Sequence, residues 1–126
     1  MSALSTYRIL ELAEGVSGEY CGKLLADFGA VVIKIERPGS GSPTRRLGPF
    51  GAGAAGPERS GLFAYLNTNK QSVALDLASE EGARTLARLL EGVDVVIADH
   101  ACGWLRGVGL DPAAFHGHGL VHRLRQ

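Results

Sequence analysis

The sequence predicts an α/β fold, a Rossmann-like parallel sheet with helices on both faces. Three observations carry this. Strand-like and helix-like segments alternate along the chain; "AVVIKIE" and "VDVVIAD" are apolar β-branched runs of strand length; and "SEEGARTLARLLEG" places leucines at helical spacing. With 126 residues, 13 Lys plus Arg against 13 Asp plus Glu, and 45% hydrophobic residues, the chain suits one soluble domain or a piece of a larger one. The neutral balance argues against a general nucleic-acid binder. No apolar run approaches the ~18 residues of a membrane span, and "MSALSTYRILEL" lacks the layout of a signal peptide, so a cytoplasmic protein is expected. Cys21 and Cys102 are widely separated and read as reduced thiols, not as a disulfide or a metal site.

Taken in order, "YRILEL" (7–12) is a strand and "AEGVSG" a turn, with a helix expected from about Gly18. In that helix Tyr20, Leu24, Leu25 and Phe28 share a face, and Gly29 supplies a positive-φ stop. "AVVIKIE" is the second strand, parallel to the first because a helix intervenes. Residues 38–61 are so rich in Gly, Pro, Ser and Arg that they read as a long loop without a regular element. A short helix at "LFAYLN", a strand at "QSVALDL" and a second long helix follow, the last capped by Ser79 and burying Leu86, Leu89 and Leu90. After the strand "VDVVIAD" come a Gly-broken turn over 102–109, a short helix announced by Asp111 and Pro112, and a strand at "LVHRL".

Ligands of such sheets bind outside the carboxyl ends of the strands, where loops offer unpaired N–H groups. The rule nominates residues 13–18, 37–46, 75–78 and 99–103. Arg37 follows a buried strand directly, and its planar fork suits a phosphate. Arg45 and Arg46 are either a second line of anion contacts or loop solubility. Glu36 sits where a dinucleotide-binding fold places its ribose acid, but glycines 15, 18 and 22 do not form G-x-G-x-x-G, so a nicotinamide or flavin enzyme is disfavoured.

The ordered blocks "LELAEGVSGEYCGKLLADFGAVVIKIERPGSGSPTRRLGPF", "FAYLNTNKQSVALDL" and "VDVVIADHACGWLRGVGLD" resemble the N-terminal region of the family III CoA-transferases of CaiB/BaiF type. That group includes formyl-CoA and carnitine CoA-transferases and α-methylacyl-CoA racemase. The resemblance runs from about Tyr7 to Val121 and implies a large domain present only in its N-terminal part. It implies CoA or acyl-CoA as substrate, with no metal, and a carboxylic acid as acceptor. It places the adenosine end against Gly15, Val16 and Arg37, the adenine pocket at Leu75 to Ala78, and the phosphates near the loop from Asp99 to Gly107, in which His100 stands as a replacement for an adenine-stacking aromatic and Arg106 falls one position before the family arginine. Lys70 matches a recurrent family lysine, its role open between CoA contact and structural pairing.

Departures accompany the match. Glu19 stands where many members carry proline, as a helix-start residue or a competitor of a bound anion, and Gly107 stands where members carry arginine. The family's nucleophilic aspartate, which takes the acyl group from the thioester as a mixed anhydride, corresponds to no position here, and the racemase acid/base pair is also missing. No catalytic residue is therefore assigned, and Asp76, Asp94, Asp99 and Asp111 are read as capping or turn residues. The expectation is an N-terminal fragment contributing part of a CoA site, active only with a complementing C-terminal chain that supplies the remainder, with a homodimer as a further expected partner. The racemase branch and a non-catalytic nucleotide-binding or interaction domain are the alternatives.

Overall fold

The computed structural model describes residues 2–52, 56–110 and 119–122. Strand β1 (Arg8–Glu11), helix α1 (Val16–Asp27), β2 (Val31–Glu36), α2 (Gly61–Leu66), β3 (Gln71–Ala74), α3 (Glu80–Glu91), β4 (Val95–Ala98), α4 (Cys102–Gly107) and β5 (Gly119–His122) succeed one another. The five strands form one sheet in the order β3-β2-β1-β4-β5. Every described pairing is parallel. The expected helix at Asp111 lies outside the described residues.

Both sheet faces are covered, which is why β2 and β4 read as nearly unbroken apolar runs. Side chains alternate between the faces. Leu10, Leu12, Ile33, Ile35, Val96 and Ala98 pack with Leu86, Val93, Leu105 and Leu110. On the opposite face Ile9, Ala13, Val32 and Ile97 meet Ala26, Ala30, Cys21 and Leu25. The same alternation directs Glu11 and Lys34 onto the α1 face, where both are buried.

Helix α3 follows its sequence closely. Ser79 accepts a hydrogen bond from the Gly82 N–H at 3.0 Å and donates to the Asp76 carbonyl at 2.7 Å, and Leu86 is buried. Ser79→Ala is expected to lower stability by about 1 kcal/mol in urea unfolding, the usual worth of such a cap. Gly29 ends the turn after α1 at φ +101°, as its position implied.

Helix α1 corrects the expected face. Tyr20, Leu24 and Phe28 are exposed, and the inward side carries Glu19, Gly22 and Ala26. The helix lies so close to β1 that a Cβ on Gly22 would stand 1.8 Å from Glu11 Oε1. Of the expected residues only Leu25 packs on the sheet, beside small residues and a buried acid, because the helix must close over charge. It also begins at Val16, two residues before Gly18.

Two other expectations change. A 3₁₀ turn, Pro43–Arg46, interrupts the long 38–61 loop, and Phe50 bridges to Ser60. The Gly-broken turn after β4 is helix α4, anchored by Leu105 and followed by Leu110, both buried. Burial there outweighs the poor helix propensity of Gly103.

Beneath α1 the four buried charges balance. Lys34 Nζ donates to Glu11 Oε2 at 2.9 Å, the Ala13 carbonyl at 3.1 Å and Glu19 Oε1 at 3.2 Å. Lys70 Nζ donates to the Glu19 carbonyl at 2.8 Å and Asn67 Oδ1 at 2.9 Å. It also lies 2.7 Å from Glu11 Oε1, a Coulombic contact off the hydrogen-bonding direction. Glu19 further accepts from Thr44 Oγ1 and from Asn67 Nδ2, each at 2.8 Å. Lys70 is thus a pairing residue, and Glu19 a buried tie between α1, the 3₁₀ turn and α2. Among the described residues no helix is long and apolar enough to cross a membrane.

Candidate nucleotide-binding site

Strand order reverses between β1 and β4, which opens a crevice at the carboxyl ends of the strands. A cleft of ≈ 580 Å³ lies there, bounded by the ends of β1 and β2, the segment after β3, and α4. Leu12, Ile35, Leu75, Leu77 and Val108 supply its apolar lining. The His100 ring stacks on Trp104 with centroids 3.8 Å apart and planes inclined by 21°, giving an aromatic wall. His100 Nε2 lies 3.1 Å from the Leu12 carbonyl, which fixes the ring against the end of β1.

Arg37 lies at this cleft beside Glu14. Its Nε and Nη2 donate to Glu14 Oε1 at 3.1 and 3.0 Å, and Nη2 donates to Oε2 at 2.8 Å. The arginine side chain is 63% exposed, so this pair is open to water. Asp99 accepts from the Gly15 N–H at 2.6 Å and from the Glu14 N–H at 3.1 and 3.2 Å. The amides leading into α1 are thereby held by a carboxylate of the chain itself.

Of the expected site residues, Arg37, Leu75, Ala78 and His100 line the cleft. Gly15 and Asp99 are joined to one another next to it in sequence, while Val16 and Arg106 are exposed and outside the lining. Gly107, not Arg106, reaches the cavity. Glu14 and Trp104 were not singled out from sequence. Glu14 reads as an ordinary turn acid until β1 and β2 are aligned, and Trp104 was hidden inside the segment expected to be a turn.

Arg45, grouped with Arg37 in the sequence, faces elsewhere. Its Nε and Nη2 donate to Glu36 Oε2 and Oε1 at 2.8 and 2.9 Å, and its guanidinium lies 3.8 Å from the Phe63 ring centroid. Glu36 also accepts from the Ser42 N–H at 2.9 Å and Ser72 Oγ at 2.8 Å. Burial opposes its ionisation, but Arg45, Ser42 and Ser72 outweigh it and hold the pKa down to about 2. A carboxylate so engaged is a structural acid, not a ribose ligand. Arg46 lines a separate shallow cleft with Gly39, Ser40 and Phe50.

The family model for CoA-transferase family III matches residues 4–118. The chain belongs to CoA-transferase family III. It is 39% identical over 113 residues to the succinyl-CoA–D-citramalate CoA-transferase of Chloroflexus aurantiacus, covering 90% of this chain and 27% of the relative. It is 41% identical over 108 residues to the formyl-CoA:oxalate CoA-transferase of Afipia carboxidovorans, covering 85% of this chain and 24% of that protein. A crystal structure of a CaiB/BaiF family protein from Brucella suis superposes with TM-score 0.77 at 37% identity, covering 87% of this chain and 29% of that one. The chain spans about a quarter of the length of these curated relatives. The expected family and α/β fold are thus both found.

Proposed function

We propose that the chain forms the nucleotide-end half of a CoA site in a family III CoA-transferase, an enzyme moving CoA between an acyl-CoA and a carboxylic acid. The observation that carries this is the strand-end cleft, where an apolar lining and an aromatic wall lie beside an arginine fork. The lining and the His100–Trp104 wall suit adenine, and Arg37 suits a phosphate. No side chain of this chain is given a catalytic role. A complementing chain supplies the acyl-transfer nucleophile.

Calorimetric titration of the full chain with CoA tests the reading. Wild type is expected to bind saturably, and Arg37→Ala to bind about tenfold more weakly, as loss of a charge-assisted hydrogen-bonding group implies. Equal binding by both proteins removes Arg37 from the site. No binding by wild type leaves an interaction domain as the better reading.

A further inference from the structure

The cleft's anion-binding groups already hold anions belonging to the protein. Among the described residues three carboxylates, Glu14, Glu36 and Asp76, line it against one guanidinium, that of Arg37. Glu36 is spent on Arg45, Ser42 and Ser72. Asp99 takes the Glu14 and Gly15 amides. Glu14 takes the Arg37 fork through three hydrogen bonds of 2.8 to 3.1 Å. A phosphate reaching for that fork meets the carboxylate first, and Glu14 Oε1 also lies 3.5 Å from His100 Nε2, which sets Glu14 between the arginine fork and the aromatic wall.

We propose that Glu14 is a specificity-determining residue that stands in for the ligand's phosphate on Arg37 and sets how much affinity that phosphate adds. The proposal rests on the CoA-site reading above. An exposed Arg–carboxylate pair is weak enough for a doubly charged phosphate to displace. The displaced Glu14 stays on the cleft wall, where its repulsion still reduces what the phosphate gains. Uncharged adenosine neither competes for the fork nor feels that repulsion. Glu14 therefore tilts the cleft toward the uncharged part of a nucleotide and holds down affinity for free phosphate.

The test uses adenosine and adenosine 3′,5′-bisphosphate as probes, titrated calorimetrically into wild type, Glu14→Gln and Glu14→Gln/Arg37→Ala. Thermal unfolding checks that each variant is folded. Glu14→Gln should bind the bisphosphate roughly fivefold more tightly, with adenosine affinity changed less than about twofold. The gain should disappear in the double variant, because it passes through Arg37. An equal rise for both ligands, or a gain that survives without Arg37, overturns the proposal, since either means that only cleft shape has changed. Equal bisphosphate affinity in wild type and Glu14→Gln overturns it alone and leaves the CoA site standing. Bisphosphate binding by none of the three proteins takes down the CoA-site reading and this inference with it.

Discussion

Replacing Lys34 with methionine is expected to lower the stability of the chain by about 3–5 kcal/mol, the usual cost of stranding a buried charge. Lys34 is 1% exposed and its ammonium meets both Glu11 and Glu19, so methionine fills its volume but leaves the Glu11 carboxylate with Lys70 and the Glu19 carboxylate with only the neutral Thr44 and Asn67 donors. Set against the roughly 5–15 kcal/mol total of an ordinary domain, the loss leaves a marginal fold. Urea unfolding monitored at Trp104 measures it. Adding Glu19→Gln removes one of the stranded charges and should recover a good part of the loss, whereas a plain packing defect would not respond. A cost below about 1 kcal/mol would mean that water solvates the cluster.

The pH dependence gives this prediction a second handle. Burial raises the Glu11 pKa above its ordinary 4.5, and Lys34 and Lys70 pull it partly back. An acid with a raised pKa binds its proton more tightly in the folded chain. Its contribution is thus most favourable below 4.5 and declines as pH rises through the folded value. Lys34→Met removes one restraint and raises Glu11 further. The variant's deficit should therefore be larger at neutral pH than at about pH 5, where more Glu11 is neutral.

The same cluster explains which parts of the fold the sequence disclosed. Strands at 31–36 and 95–98 and the capped helix α3 were legible because local propensity, period and burial agree there. Helix α1 was misread because a periodicity argument sends charge outward, whereas Glu19 is drawn inward by Lys34, a residue on a strand. Helix α4 was hidden by glycines 103 and 107, and its support from buried Leu105 and Leu110 is tertiary. The site divides in the same way. Arg37 and His100 were nominated because strand ends are a topological address, and both line the cleft. Glu14 lay within the nominated 13–18 loop but was not singled out, although the parallel register pairs Glu11 with Lys34, so that three residues beyond each of them Glu14 meets Arg37. That pairing becomes visible only once register is known.

Arg45→Ala should be comparably severe, at about 3–5 kcal/mol, and its deficit should close only at a much lower pH than that of Lys34→Met. Glu36 is 5% exposed and relies on the Arg45 fork for two of its four hydrogen bonds. Its pKa, held at about 2 against an ordinary 4.5, means that the ionised form is favoured by folding. This stabilisation, at most about 3 kcal/mol, is fully present above pH 4.5 and is lost as pH falls through about 2. Without Arg45 the Glu36 pKa rises, and acid protonation removes less stability from the variant than from wild type. The two unfolding curves should thus lie far apart at neutral pH and converge toward pH 2. Arg45→Lys keeps the charge but loses the fork and the stacking on Phe63, so it should fall between them. Arg45 also donates to the Pro57 carbonyl at 3.0 Å, which ties the 38–61 loop back onto the strand end. Limited proteolysis of Arg45→Ala should therefore cut first within that loop, while wild type resists. A stability difference that stays constant from neutral pH down to acid would show that Arg45 acts through packing on Phe63 and not through the charge of Glu36.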